Sequence, residues 1–167
     1  TTERLASMES GRIDATLLTP SEIPRARKLG FVEVYDMSDL GLEVQGNGFA
    51  TSRSFIKGQR ETVKAALKGY VEAIHYIHRN RGETNKVLSR YLRSTDADIL
   101  DAAYMAFVKT VGKRPYPTLK GIQFLLDEVS GKLPQAKNAR PEQFVDLSLL
   151  QELEKEGFLT EMGKRYP

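Results

Sequence analysis

The hydrophobic pattern changes its period along the chain. Up to about Phe55, short apolar runs alternate with helical segments, which is typical of an α/β unit. Beyond Lys57, apolar residues recur every three or four positions, as on one face of a helix. The strongest stripe comprises Val63, Leu67, Tyr70, Ile74 and Ile77. We therefore expect strands in the first third of the chain and helices in the rest.

Three segments have the composition of short strands: "DATLL" at 14–18, "FVEVY" at 31–35 and "GFATS" at 48–52. Two or three strands are too few for a stable parallel sheet, since sheets average about five or six. Either other polypeptide segments complete the sheet or two copies of the chain pair their edges. The pattern therefore predicts that the sequence is part of a longer protein.

Capping signals set the helix ends. In "TPSE", Thr19 is the predicted N-cap, Pro20 the first helical residue and Glu22 the partner of the cap, a capping box whose helix ends at Gly30. Later helices are predicted around 87–92, from a cap at Thr95 to Gly112, over 119–129 after a cap at Thr118, and in "LSLLQELEKEG" up to Gly157. The first helix should end near Gly11.

Composition narrows the function classes. The 167 residues are 40% hydrophobic and 28% charged, which is a globular composition. We expect no membrane span, because no apolar run approaches the roughly 20 residues required, and no secretory signal in the chain as given. The lack of cysteine excludes disulfides and thiolate chemistry. The net charge of +3 is small and acids interleave the bases, so no nucleic-acid partner is expected.

Four segments in order carry a resemblance: "RLASMESGRIDATLLTP", "GNGFATSRSFI", "TVKAALKGYVEAI" and "PEQFVDLSLLQELEKEGF". The chain resembles the C-terminal half of periplasmic substrate-binding proteins of ABC importers, in the nitrate, sulfonate and taurine group. That group shares its fold with thiamine-pyrimidine synthases. The resemblance implies an α/β chain that is the helix-rich C-terminal portion of a two-lobed periplasmic-binding-protein type II fold. Residues 1–43 would belong to lobe two, 44–56 would cross between lobes as a hinge, and 57–167 would be mainly helical and mostly in lobe one.

The function implied by the resemblance is solute uptake. The protein would be periplasmic or extracytoplasmic, would bind a small organic nutrient between its lobes, and would deliver it to the membrane permease of an ABC transporter. We expect neither enzyme activity nor a cofactor. Two alternatives remain: a relative of thiamine-pyrimidine synthases, and a free-standing helical protein-interaction module. Self-association or segment swapping is a further expectation, because the chain looks like a partial protein.

The stretch "QGNGFAT" is the predicted return crossing between the lobes. Gly46 and Gly48 can adopt positive φ without a Cβ clash, so they could absorb the dihedral change of closure. The alternative is a tight turn between two strands. Short polar side chains around the crossing could orient a ligand, although such residues are also ordinary turn formers. These candidate ligand-binding residues are Gln45, Asn47, Thr51 and Ser52.

A second candidate group follows the first predicted strand. Thr19, Pro20 and Ser21 begin a helix, and ligands of open α/β sheets bind beyond the carboxyl ends of strands. Free N–H groups there favour an anion, but Glu22 already supplies negative charge, so an uncharged or cationic ligand is favoured. A capping box without a ligand is the alternative. Tyr35 and Phe49 could line the cleft, although aromatic residues beside strands are more often core.

One helix carries the spacing E-x-x-H-x-x-H, formed by Glu72, His75 and His78. At 100° per residue these side chains spread over about 120° of the helix surface, so they cannot converge on one ion. We therefore expect no metal site and interpret all three as solvated. No arrangement of nucleophile and base is apparent either.

Overall fold

The computed structural model describes residues 2–167, and for Thr2 it describes the backbone alone. The protein is 65% helical, and no strand occurs within the described residues. The helices are α1 (Thr2–Glu9), α2 (Ile23–Lys28), α3 (Arg53–Gly58), α4 (Arg60–Arg79), α5 (Arg81–Leu92), α6 (Ala97–Thr110), α7 (Leu119–Val129), α8 (Ser148–Lys155) and α9 (Phe158–Arg165). Short 3₁₀ turns lie at Pro20–Glu22, Met37–Leu40, Pro134–Asn138 and Pro141–Phe144.

The predicted α/β class, with its two-lobed architecture, is therefore wrong for this chain. Residues 14–18, 31–35 and 48–50 lie outside any helix and form no ladder with one another, and Ser52 begins a helix instead. The physical reason is that the hydrogen bonds of a strand must come from a neighbouring strand. A helix satisfies its own backbone, so the helical segments fold while the strand-like ones remain unpaired.

Most predicted helix signals are confirmed. Thr118 caps α7, accepting from the backbone N–H of Gly121, and α7 covers the predicted range 119–129. Gly11, Gly30 and Gly157 all adopt the left-handed φ that ends or joins helices. The cap of α6 was misplaced by one residue. Its cap is Asp96, whose carboxylate accepts the N–H of Asp98, because Asp reaches the second N–H of a helix as readily as Thr.

The described chain divides into two compact units, and the boundary falls inside α4, after Tyr76. Unit 1 comprises residues 2–37 and Ile77–Gly112. Within it, α6 packs against α2, α5 and the 3₁₀ turn at Pro20–Glu22. Its buried apolar residues are Leu5, Ala26, Leu100 and Tyr104.

Unit 2 comprises Ser38–Tyr76 and Lys113–Pro167. Its core is a cluster supplied by α4, α8 and α9, with Leu67, Tyr116, Phe158 and Tyr166 packed around it. The buried members are Val71, Leu150, Leu153, Leu159 and Met162. The α8 and α9 helices pack against each other across the turn at Gly157, and the segment "FLTEM" after this turn is helical.

The domain boundaries predicted from the resemblance, at residues 43, 56 and 57, differ from the unit boundaries at Met37, Tyr76 and Gly112. The predicted crossing segment 44–56 lies wholly within unit 2. The assignment of residues to lobes stays a prediction. Among the described helices, none has the length and apolar character needed to cross a membrane.

Candidate functional site

Gln45 is a predicted ligand-binding residue whose side chain is held by a residue distant in the sequence. Its Oε1 accepts the backbone N–H of Thr118 at 3.2 Å, and its Nε2 donates to the backbone carbonyl of Asn47 at 2.7 Å. The amide is therefore held at both ends, which fixes its orientation. Gln45 is half-buried, and both partners belong to unit 2.

Close backbone contact fixes the segment before Asn47 against the start of α7. A Cβ built on Gly121 would lie 2.7 Å from the backbone nitrogen of Gln45 and 3.1 Å from the carbonyl carbon of Val44. Atoms do not approach a Cβ at 2.7 Å, so only glycine allows this packing. The first turn of α7 therefore holds residues 44–45 through both a hydrogen bond and backbone contact.

A carboxylate lies beside the same helix start. The hydroxyl of Thr118 donates to Glu43, whose other oxygen is 3.9 Å from Nζ of Lys120. Negative charge near a helix N-terminus is favourable because of the helix dipole. Glu43 thus occupies the position that an anionic ligand would take, so the cluster favours a neutral or cationic molecule.

An aromatic pair follows these polar residues in the sequence. Phe49 meets Tyr70 of α4 edge to face, with ring centroids 5.0 Å apart and an interplanar angle of 87°. Phe49 remains 61% exposed, and the side chain of Asn47 is exposed nearby in the sequence. We call Glu43, Gln45, Asn47, Phe49 and Thr118 the Gln45 cluster.

The remaining residues of the predicted crossing have local roles. Ser52 caps α3 by accepting the N–H of Phe55 at 3.1 Å, which is the turn-forming alternative left open by the sequence. Thr51 is exposed. Gly46 and Gly48 are not among the residues with positive φ. A Cβ at Gly46 would meet no atom within 4 Å, and one at Gly48 would make an ordinary contact with Nε2 of Gln45 at 3.6 Å. The hinge role of these two glycines stays a prediction.

The Thr19 group lies in unit 1 and forms the predicted capping box. The backbone N–H and the hydroxyl of Thr19 both donate to the carboxylate of Glu22, at 2.8 and 2.7 Å. Ser21 lies 3.3 Å from the Thr19 hydroxyl, and Pro20 begins the 3₁₀ turn. Glu22 therefore already occupies the donors that an anion would use, as the sequence indicated.

Tyr35 lines an open surface depression of about 610 Å³ in unit 1, formed by the loop after α2. Its other lining residues are Arg27, Phe31, Val32, Glu33, Val34 and Asp36. Arg27 and Glu33 form an ion pair across it at 2.5 Å. Tyr35 is 56% exposed, so it is a surface residue and not core.

The histidines of α4 serve the structure. His75 is buried with Nε2 3.1 Å from the carbonyl oxygen of Lys113, so the prediction that it is solvated was wrong. His78 lies half-buried, with Nε2 2.7 Å from the carbonyl oxygen of Val111. Glu72 accepts the Tyr166 hydroxyl at 3.0 Å. Across residues 2–167, no three His, Asp or Glu side chains are grouped as metal ligands would be.

Sequence reasoning missed Glu43 and Gly121 as partners of the cluster. Thr118 was identified only as a helix cap, whereas its N–H also holds Gln45, which is 73 residues away. No local signal marks a contact at that separation. The glycine at the third position of α7 is the one hint, since glycine is a poor helix former and its presence there indicates close packing.

Comparison with known proteins adds no assignment. Neither protein-family models, nor curated proteins, nor solved structures gave a match to this chain.

Proposed function

We propose that the chain belongs to an extracytoplasmic solute-binding component of an ABC importer and that it contacts a small organic nutrient through the Gln45 cluster. The support from sequence is the order of the four segments that resemble this class of protein. In this proposal the protein performs no chemistry, needs no cofactor, and passes its ligand to a membrane permease. The residues of the Gln45 cluster all belong to unit 2.

The observation that carries the proposal is the fixed amide of Gln45 in a short segment that also presents the exposed side chains of Asn47 and Phe49. Binding sites for small molecules combine a few oriented polar groups with apolar and aromatic surface. Gln45 is held by Thr118 and Asn47, while Phe49 is braced by Tyr70 yet mostly exposed. An exposed ring held in place loses little entropy when a ligand covers it.

The charges around the cluster limit the ligand class. Glu43 lies against the hydroxyl of Thr118, and Lys120 is close enough to offset part of that charge. A second anion would be repelled at this position. We therefore favour an uncharged or cationic organic molecule over nitrate or a sulfonate.

A ligand panel tests the proposal. Circular dichroism would monitor the thermal unfolding of the protein in the presence of each ligand in turn. The ligands are nitrate, taurine, an alkyl sulfonate, a pyrimidine vitamin precursor, and neutral and cationic amino-acid derivatives. A ligand at 100 times its Kd stabilises the folded state by about 2.7 kcal/mol. We expect a neutral or cationic member to raise Tm, and native mass spectrometry to show one bound copy.

Paired variants assign the site. Phe49→Ala should weaken binding about fivefold, because a stacked aromatic contact contributes on the order of 1 kcal/mol. Phe144 is the matched control, since it is 60% exposed in the same unit whereas Phe49 is 61% exposed. Phe144→Ala should bind as the parent does. No stabilisation by any panel member, or equal weakening by both variants, would reject the proposal.

A helical protein-interaction module is the second candidate, and one observation favours it. Val87 and Tyr91 lie four residues apart on α5 with both side chains largely exposed, which is the spacing of anchors on an interaction helix. This candidate predicts that no member of the ligand panel raises Tm. It would replace the first if the panel gave no ligand while the protein remained a compact monomer.

A further inference from the structure

Asn47 is followed by Gly48, and no other asparagine of the sequence precedes a glycine. The side-chain amide of an asparagine can be attacked by the backbone nitrogen of the next residue. A glycine at that position leaves the nitrogen uncrowded, because it has no Cβ. Both residues are exposed and lie outside any helix. The pair is therefore accessible to this reaction.

The nitrogen that would attack is unengaged at Asn47 but held at a matched asparagine. In the described structure, the N–H of Gly48 donates no hydrogen bond. Asn138 is also exposed and also lies in unit 2, but the N–H of Ala139 donates to the carbonyl of Ala136 at 3.2 Å. A nitrogen that holds a hydrogen bond must give it up before it attacks. The structure therefore favours reaction at Asn47 over Asn138.

A fixed donor lies on the carbonyl of the peptide that joins Asn47 to Gly48. Nε2 of Gln45 donates to this carbonyl oxygen at 2.7 Å. The N–H of Thr118 sets the orientation of the amide, since only Oε1 can accept it. A Cβ built on Gly48 would lie 3.6 Å from the same Nε2. The amide of Gln45 is therefore held against both residues of the peptide.

This donor is placed where charge develops. The nitrogen of Gly48 must lose its proton to attack, and the resulting negative charge spreads to the carbonyl oxygen of the same peptide by resonance. A donor fixed at that oxygen stabilises the charge, as the donors of an oxyanion hole do. The hydrogen bond from Gln45 therefore favours the reactive form of the peptide.

We propose that Asn47 is a site of self-modification, where the chain converts its own asparagine to aspartate and isoaspartate with help from Gln45. The nitrogen of Gly48 bonds to Cγ of Asn47, and the bond from Cγ to the amide nitrogen breaks. Ammonia leaves, carrying a proton equivalent to the one that Gly48 lost, and a succinimide ring remains. Water opens the ring at Cγ to give aspartate, or at the former peptide carbonyl to give isoaspartate.

The net reaction consumes one water and releases one ammonia, so neither oxidant nor reductant is required. Both products add a carboxylate to the Gln45 cluster, which already contains Glu43. In isoaspartate, the oxygen that accepts from Gln45 becomes part of that carboxylate, so the hydrogen bond becomes charge-assisted. An aged molecule therefore presents a more negative cluster than a new one. This inference does not depend on the proposed solute binding.

Incubation of the folded protein at mildly alkaline pH tests the site. Peptide mass spectrometry measures the loss of each side-chain amide, and an isoaspartyl methyltransferase assay detects isoaspartate. Asn47 should react at least about tenfold faster than Asn138, and Gly48→Ala should slow Asn47 by a similar factor, because a Cβ crowds the nitrogen. The added Cβ makes only an ordinary contact, so the variant should fold. Equal rates at Asn47 and Asn138 would overturn the proposal.

Two variants test the help from Gln45. Gln45→Glu keeps the acceptor for Thr118 but offers Asn47 no donor, and Gln45→Leu removes both hydrogen bonds. Each should react about fivefold slower than the parent when folded, and the difference for Gln45→Leu should vanish in urea. If Gln45 only held the segment in place, its loss would speed the reaction, since a looser chain closes the ring more easily. Variants that react as fast as the parent, or faster, would exclude help from Gln45.

Discussion

Unit 2 and unit 1 differ in how far each covers its apolar residues. In unit 2, α4, α8 and α9 enclose a cluster that includes Val71 and Leu153, both fully buried. In unit 1, Val32 and Val34 are almost wholly exposed, although they are valines like the buried Val71 of unit 2. Segments with helical period therefore bury their apolar residues within the chain, whereas the strand-like segments 14–18 and 31–35 leave Leu17, Val32 and Val34 exposed.

Truncating one leucine in each unit should give the largest contrast. Leu153→Ala removes a fully buried side chain and leaves a cavity, so we expect a loss of about 2–5 kcal/mol in the free energy of unfolding. Leu17 is 65% exposed within a predicted strand, and Leu17→Ala should change stability by less than about 0.5 kcal/mol. Urea unfolding followed by far-UV circular dichroism measures both. Similar losses would mean that residues 14–18 are covered in solution.

Two helical glycines give the next contrast. Gly121→Ala forces a Cβ onto the backbone nitrogen of Gln45, so unfolding should become easier by about 1–3 kcal/mol. A Cβ at Gly69 of α4 would meet no close neighbour, and Gly69→Ala should stabilise by about 0.5–1 kcal/mol through helix propensity. Thermal unfolding compares them. A stabilised Gly121→Ala would show that residues 44–45 do not pack on α7.

Sequence reasoning succeeded for contacts between residues close together in the sequence and failed for contacts between distant residues. The range of α7 and its cap at Thr118 were predictable, since capping and helical hydrogen bonds involve residues at most four apart. The strands at 14–18 and 31–35 were not, because composition cannot supply the neighbour that a strand requires. For the site, Gln45 was selected for its polarity, but its contact with Thr118 spans 73 residues and left no local pattern.

We expect a smaller loss of stability when Thr118 is changed, which caps α7 and belongs to the Gln45 cluster. Thr118→Ala removes the oxygen that accepts the N–H of Gly121 and donates to Glu43, so stability should fall by about 1 kcal/mol. Thr62→Ala, in the first turn of α4, is the control, and its effect should stay within about 0.5 kcal/mol. If Thr118→Ser restores parent stability in the same urea titration, the hydroxyl is responsible. Failure of serine to restore it would assign the effect to the methyl group.

The two units also differ in how they use a lysine between carboxylates. In unit 2, Lys64 contacts Glu152 and Glu156 with its side chain only 11% exposed. In unit 1, Lys28 contacts Asp96 and Asp98 with its side chain 55% exposed. Solvent screens an exposed pair more strongly, so the pair in unit 2 should resist added salt better.

The hydrogen bonds of Lys64, and then of Arg60, hold the pKa of Glu152 below its ordinary value of 4.5. A carboxylate with a lowered pKa stabilises the folded state above its unfolded pKa, and this contribution disappears as pH falls through the folded pKa. The pKa of Lys64 is raised by Glu152 and Glu156, so its contribution is present below its ordinary value of 10.5 and is lost as pH rises through the raised pKa.

Glu152→Gln should therefore lower Tm at pH 7 and leave it close to that of the parent below the folded pKa of Glu152. Asp96→Asn is the counterpart in unit 1, where Lys28 lowers the pKa of Asp96 from 3.8. Its Tm difference at pH 7 should be smaller and should shrink further in high salt, because the lysine is more exposed. Melting curves from pH 7 to pH 2, in low and high salt, measure both. A larger salt effect on Glu152→Gln than on Asp96→Asn would show that the ion pair of unit 2 is no better shielded from solvent than that of unit 1.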